Sequence, residues 1–329
     1  MDSIGESFQV TTELGAVRHE QTTGCEGGDP LLSIVMAVHD GADYLPAAID
    51  SILNQTFSQF EFLIVDDGSD SATKEILSQI SDSRVQIITQ SQQGLTRSLN
   101  TGLAKARGKY IARMDADDVA FPDRLERQFQ YLEANPDVVA LGTNVVYIDR
   151  DNRSLFMRRL PVNHDEIIKC QLSDWGGFLV HPSVMMRSQS VREIGGYDDS
   201  FRYAQDYDLW FRLADTGKLA NLSSPLLYYR IHGKGLTQSR QNEQAQCREA
   251  ILNRELAKRG YPTSIPLPDP YRIRINDARW MLKASARDGY VGTCLKSSAR
   301  VIRSSIRDLA LCPWLIGKCM FHSVFKTKL

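Results

Sequence analysis

The stretch Lys109-Tyr110-Ile111-Ala112-Arg113-Met114-Asp115-Ala116-Asp117-Asp118 decides how the rest of the chain is read. Its first six residues form an apolar run of strand length and read as a buried strand. Carboxylates then crowd at the strand's end, where they repel one another and are costly to desolvate. A divalent cation removes that cost. Hard oxygen donors suit Mg2+ or Mn2+, and such an ion would in turn hold phosphates. Taken alone, the four residues also read as a polar turn, with Asp118 helping the next helix to start.

Upstream of this stretch, strand and helix signals alternate. Leu31 to Val38, Phe60 to Val65 and Val85 to Ile88 are short apolar runs. Asp43 to Gln55, Ser71 to Ile80 and Gly94 to Ala106 carry apolar residues at helical spacing. Four such alternations predict parallel strands with helices on both faces of a sheet. Ligands of these sheets bind beyond the C-terminal strand ends. His39-Asp40, Asp66-Asp67 and Asp115 to Asp118 all lie at such ends, so three polar clusters are expected in one crevice. Downstream, a helix is expected over Asp123 to Asn135 and a strand over Val138 to Val146. Further strands are expected over His181 to Met186 and Pro225 to Arg230, and an amphipathic helix over Asp206 to Thr216. From Thr237 onward the strand signals vanish, and the tail reads as helical around a Pro-rich joint, Pro262 to Pro270.

The chain has 329 residues and a net charge of −1, so it is not built to attract a polyanion, and nucleic acid is not an expected partner. Six scattered cysteines with no C-x-x-C spacing point to reduced thiols in a cytoplasmic setting. No secretory signal or membrane-spanning run is read in the sequence. Charge is uneven: from Lys283 to Leu329, nine Lys or Arg face two Asp. Lys296, Arg300, Arg303 and Arg307 share one helical face beside an apolar stripe. That pattern suits a helix lying on an anionic membrane surface, or an ordinary helix packed on the domain.

The sequence resembles the family 2 glycosyltransferases, inverting enzymes of GT-A fold. The resemblance runs from about Leu31 to His232. It is carried by Leu53-Asn54-Gln55-Thr56-Phe57, Val65-Asp66-Asp67-Gly68-Ser69, Asn100-Thr101-Gly102 and Ala106-Arg107-Gly108-Lys109-Tyr110-Ile111. It continues in Met114-Asp115-Ala116-Asp117-Asp118, His181-Pro182-Ser183-Val184, Gly195-Gly196-Tyr197-Asp198 and Asp206-Tyr207-Asp208-Leu209-Trp210. The order and spacing of these motifs make the match specific. The resemblance implies an α/β GT-A domain over 31–236, a Rossmann-like mixed sheet flanked by helices. A flexible arm over 1–30 precedes it and a helical C-terminal extension over 237–329 follows. It also implies a nucleotide-sugar donor, a hydroxyl acceptor on a saccharide or lipid-linked saccharide, and a place in polysaccharide or glycoconjugate assembly.

Residue roles follow from the same resemblance. Asp66 and Asp67 meet the base, where a carboxylate can accept the imide N–H of uracil, a group cytosine and adenine lack. The alternative for this pair is an Asp-Gly turn closing the strand. Ala37 offers backbone contacts, although the first loop, Ala37-Val38-His39-Asp40, departs from the family's usual Pro-Val-Tyr-Asn type. Arg97 either reaches a uracil or phosphate oxygen or is a solvated helix surface. Asp115 falls near the ribose and Asp117 on the Mn2+ or Mg2+, with His232 completing the metal shell or bonding a phosphate. Asp206 is the expected catalytic base, with a helix N-cap as its alternative role. Trp175 and His181 are expected to shape the acceptor pocket, with packing between sheet and helix as the alternative for Trp175. A sugar-nucleotide-binding scaffold without catalysis and a nucleotidyltransferase are the rival functions. A dehydrogenase is disfavoured, because no G-x-G-x-x-G follows the first strand.

Overall fold

The computed structural model describes residues 30–173, 178–232 and 241–261. The expected alternation is present as β1 (Leu32–Val38), α1 (Leu45–Leu53), β2 (Phe60–Asp67), α2 (Ser71–Ser78), β3 (Val85–Gln90), α3 (Leu95–Lys105) and β4 (Tyr110–Asp115). There follow β5 (Val119–Ala120), α4 (Arg124–Ala134), β6 (Val138–Asp149), β7 (Ser154–Arg158) and α5 (His164–Ser173). A 3-10 turn (His181–Ser183), β8 (Met185–Arg187), α6 (Ser188–Glu193), α7 (Gln205–Ala214), β9 (Lys218–Ile231) and α8 (Gln241–Lys258) complete the order.

The strands form one sheet in the order β3-β2-β1-β4-β8-β6-β9-β5, with β7 paired to β6 off that path. The first four strands are mutually parallel. β8 runs antiparallel to both β4 and β6, and β9 runs parallel to β6. The sheet is therefore mixed, as a GT-A domain requires. β2 is buried along its whole length and β1 nearly so, which explains why both read as continuous apolar runs. Alternate residues feed two cores. Ile34 and Met36 pack with Leu45 and Ile49 of α1 and Leu125 of α4. Val35 packs on the other face with Leu99 of α3 and Trp210 of α7. Register pairs Val38 with Asp66 and Ala37 with Asp115, so the polar ends of β1, β2 and β4 finish flush.

Two strand expectations are corrected. His181 to Met186 is not one strand, because the 3-10 turn takes its first half and Pro182 there has no N–H to give a ladder. Pro225 to Arg230 is only the later half of the fourteen-residue β9. Pro225 pairs with Asn144 where the register shifts, a bulge being one of the few places a sheet accepts proline. The N-terminal arm up to residue 29, the Pro-rich joint and the basic stretch containing Lys296, Arg300, Arg303 and Arg307 lie outside the described residues. No described helix is long and apolar enough to cross a membrane.

The entry to β4 is packed to backbone contact. Glu61, buried on β2, accepts from Ser33 Oγ at 2.6 Å, from Arg107 N at 2.8 Å and from the Arg107 guanidinium. Gly108 lies directly against β1: a Cβ there would stand 2.6 Å from both Leu32 C and Ser33 N. Backbone cannot yield as a side chain does. Gly108→Ala is therefore expected to cost about 3 kcal/mol of stability, at the upper end of overpacking substitutions. Urea unfolding checks this, and a loss near zero would contradict so close an approach of the two segments.

Candidate functional site

The wall beyond the ends of β1 and β2 is built from loops laced to one another. The Asp67 carboxylate accepts from Gln90 Nε2, Gln93 N and Gly94 N, each at 2.8 Å. Burial pushes its pKa up, but these donors together outweigh burial and hold it below the ordinary carboxylate value. Asp66 Oδ1 accepts from Ser69 N at 2.9 Å and closes the turn after β2. His39 Nδ1 lies 3.1 Å from Asp67 O; a carbonyl only accepts, so Nδ1 donates there, while Nε2 lies 2.9 Å from Gln92 Nε2. Asp40, with φ 53°, accepts from Asp70 N at 2.8 Å. Ala37 sits half-buried between Val65 and Asp115 in register. Arg97 is exposed on the first turn of α3, 3.8 Å from Asp199.

The acidic loop after β4 is organised differently. Asp115, Asp117 and Asp118 bring carboxylate oxygens within 4.8 Å of one another. Asp115 is ion-paired with the buried Arg113 guanidinium. Asp117 Oδ2 accepts from His232 Nε2 at 2.8 Å, which joins two residues 115 positions apart. Asp118 Oδ1 accepts from Arg230 N at 2.8 Å. Arg230 also donates from Nε to Asp117 O at 2.7 Å and from Nη1 to Asn152 Oδ1 at 2.6 Å, with its guanidinium 4.5 Å from the Tyr44 ring centroid.

This loop fits a hard divalent cation. Burial, reinforced by the Asp117 charge, pushes the pKa of Asp115 up against the pull of Arg113, and pushes that of Asp118 up further. Asp118 Oδ2 and His232 Nδ1 are buried without a hydrogen-bond partner. His232 Nε2 donates to Asp117, so the ring is held against the acidic loop through that nitrogen.

Across the crevice, α7 carries Asp206. The helix starts at Gln205, with Ala204 at the cap position in the left-handed region at φ 56°. Asp206 thus lies inside the first turn and is not the N-cap that the sequence offered as its alternative. The strained Ala204 re-aims the chain just before it. Burial pushes the Asp206 pKa up, while the Arg248 charge and the Tyr207 N–H pull it back in part. Asp206 and Asp115 repel each other, so the two carboxylates are within electrostatic reach. Asp208 is fully buried and paired with Arg212 and with Arg254 at 2.5 Å. His181 is buried, with Nε2 at 2.7 Å from the Tyr197 hydroxyl and its ring edge-on to Trp210. Desolvation holds it neutral, its pKa well below the usual imidazole value. Trp175 lies outside the described residues.

Two site residues escaped the sequence reading. Arg113 is 1 % exposed and acts electrostatically on Asp115, Asp118, His181, Tyr197 and Asp206. Arg124 is fully buried and donates to Arg113 O at 2.7 Å. The signal was there: an arginine in the middle of an otherwise apolar strand demands buried partners.

Comparison with known proteins adds to this geometry. The family model described as Glycosyl transferase family 2 matches residues 33–195. The O-antigen biosynthesis glycosyltransferase WbnJ of Escherichia coli is 36 % identical over 237 residues, covering 70 % of this chain and 90 % of that protein. An uncharacterized glycosyltransferase of Methanocaldococcus jannaschii is 38 % identical over 211 residues, covering 61 % of this chain and 71 % of that one. Crystal structures of S. aureus TarS align with TM-scores of 0.54 in complex with UDP-GlcNAc and 0.52 in complex with UDP, both at 15 % identity. They cover 83 % and 89 % of this chain, and 88 % of TarS 1-349 in each case. That likeness shows the GT-A fold.

Asp67 generates the prediction here. Asp67→Asn replaces one accepting oxygen by an amide that cannot accept from Gln93 or Gly94. Its expected cost is about 1–3 kcal/mol, with faster amide exchange at Gln93 and Gly94. Because the folded pKa is depressed, the wild-type carboxylate contributes stability above the ordinary carboxylate range. That contribution is lost as pH falls through the folded value. The stability gap between wild type and mutant should therefore shrink in acid, and a gap independent of pH would refute the latch.

Proposed function

The chain belongs to glycosyl transferase family 2, and from that premise we propose that it is an inverting, divalent-metal-dependent hexosyltransferase. In this reading it moves a sugar from a nucleotide-sugar donor of UDP type to a hydroxyl of a saccharide or lipid-linked saccharide. The observation that carries the proposal is the pairing of a crowded acidic loop, closed by His232, with a desolvated carboxylate on a separate helix. The O-antigen relative supports a role in surface polysaccharide or glycoconjugate assembly. The UDP and UDP-GlcNAc complexes of TarS support the choice of donor. A cytoplasmic enzyme at the inner membrane face is supported by the basic C-terminal stretch of the sequence.

Ala37, Asp66 and Asp67 form the base-side wall, Asp67 by fixing the loop that leads into α3. Arg97 stands where a cation can meet a donor oxygen. Asp115 faces the ribose. Asp117, with His232 completing the shell or bonding a phosphate, would hold Mn2+ or Mg2+, whose chemistry when bound would be to neutralise the charge gathering on the departing diphosphate. Asp206 takes the proton of the acceptor hydroxyl as that oxygen bonds to the anomeric carbon. The bond from the anomeric carbon to the phosphate oxygen breaks on the opposite face, and its electron pair leaves with the nucleotide. Burial raises the Asp206 pKa toward working pH, which suits a general base. His181 lies on the acceptor side.

Two variants test the assignment. Asp117→Ala should abolish transfer and weaken UDP binding only when Mn2+ or Mg2+ is supplied. Asp117→Asn should fail as well, because an amide brings no charge to the ion. Equal UDP affinity for Asp117→Ala and wild type with metal present would remove Asp117 as a ligand. Asp206→Asn should fold normally, bind donor nearly as wild type and lose roughly 10²-fold or more in turnover. Substantial transfer by this variant would leave Asp206 a structural residue.

A further inference from the structure

We propose that helix α3 sets the distance between the two walls of the crevice, with Thr96 and Asn100 as positioning residues for Asp206. The inference rests on Asp206 being the catalytic base. Two of the sequence motifs meet here, Asn100-Thr101-Gly102 of α3 and Gly195-Gly196-Tyr197-Asp198 of the loop that leads to α7. Asn100 Oδ1 accepts from Tyr197 N at 2.9 Å. Its Nδ2 donates to Tyr197 O at 2.9 Å and to Asp199 Oδ1 at 3.0 Å. One side-chain amide thus holds both polar groups of a single backbone residue, as a neighbouring strand would. Gly196 makes room for it: its φ is 75°, and a Cβ there would stand 2.8 Å from Asn100 Oδ1. Thr96 lies one turn earlier on the same face of α3 and donates from Oγ1 to Phe201 O at 3.0 Å.

Between these two ties the loop is braced by Asp198. Its Oδ1 accepts from Ser200 N at 2.9 Å and Ser200 Oγ at 2.7 Å, and its carbonyl accepts from Phe201 N at 3.1 Å. Arg202, Tyr203 and Ala204 alone separate Phe201 from the start of α7. Ala204 is left-handed, a strained state that persists only where the surroundings over-determine it. The loop therefore has little slack, and moving Phe201 moves the helix that carries Asp206. The same helix α3 also belongs to the wall beyond β2. Gly94 N at its cap donates to Asp67, and Thr101 Oγ1 donates to Gln90 Oε1 at 3.0 Å, the side chain whose Nε2 also donates to Asp67. Leu99, with no exposed surface, packs α3 on Val35 and Leu63 of the sheet. Helix α3 is thus a fixed spacer tied to both walls. Displacement at the anomeric carbon needs the acceptor oxygen and its base in line, so a base shifted by about 1 Å costs turnover without loosening the nucleotide.

The test is UDP release from the UDP-sugar that the wild type turns over best with Mn2+, beside UDP affinity by calorimetry and folding by circular dichroism. Thr96→Val and Asn100→Ala should each lower kcat on the order of tenfold, with UDP affinity within about twofold of wild type. Thr96→Ser, which returns the hydroxyl, should recover kcat. Leu77→Ala, in the core under α2, should lower the unfolding midpoint and leave kcat unchanged. In the Asp206→Asn background Thr96→Val should bring no further loss, because it acts through the base. An unchanged kcat in Thr96→Val, or Ser behaving as Val, would overturn the proposal. So would UDP affinity falling in step with kcat, or a full further loss on top of Asp206→Asn. If Asn100→Ala does not fold, the Thr96 pair decides alone. These outcomes judge α3 while Asp206→Asn is impaired. Wild-type turnover by Asp206→Asn would overturn the base assignment, and this proposal with it.

Discussion

The acidic loop depends on two arginines buried beneath it. Arg124, fully buried, has its pKa drawn down by desolvation to about 9 and is sustained by Asp118 and Asp115. Its guanidinium donates to Arg113 O and to Gln128 Oε1, and Gln128 in turn donates to Leu141 O and Ser183 O. One polar chain thus fastens α4 to β4, β6 and the 3-10 turn through the core. Taking either charge away would strand the others in low dielectric, the situation in which broken buried pairs cost about 3–5 kcal/mol.

Carboxylates of the same kind meet opposite fates on neighbouring strands. Those ending β2 are satisfied by their own chain: Asp66 by Ser69, Asp67 by Gln90, Gln93 and Gly94. They are latches that shape a wall. Those ending β4 are crowded and under-partnered, and Asp118 keeps a buried oxygen with nothing to bond. Electrostatic dissatisfaction is concentrated on one loop, and that is where a cationic ligand has most to offer.

Much of this was legible in the sequence. The parallel half was readable because β1 and β2 are apolar on both faces and their helices carry clear amphipathic spacing. The convergence of Asp66-Asp67 with Asp115 to Asp118 followed from the rule for parallel strand ends, and the flush register made it real. The antiparallel half was less readable. β7 and α5 lack strong periodicity, β8 is three residues long, and β9 hides its first half before Pro225. Arg113 went unnoticed because one charge in an apolar run looks like noise until its partners are known. The docking of α8 on α7 depends on tertiary packing that no local pattern records.

Arg230 binds the fate of distant segments together. Its backbone and side chain touch Asp117, Asp118, Asp149, Asn152 and the ring of Tyr44. Two residues later His232 closes on Asp117. For protein engineers this sets the unit of exchange. A chimera that imports the acidic loop from a relative inherits a lock without its key unless the segments around 44, 149–152 and 230–232 travel with it. The acidic loop of this scaffold is therefore to be transplanted as a set of noncontiguous patches, not as a single cassette.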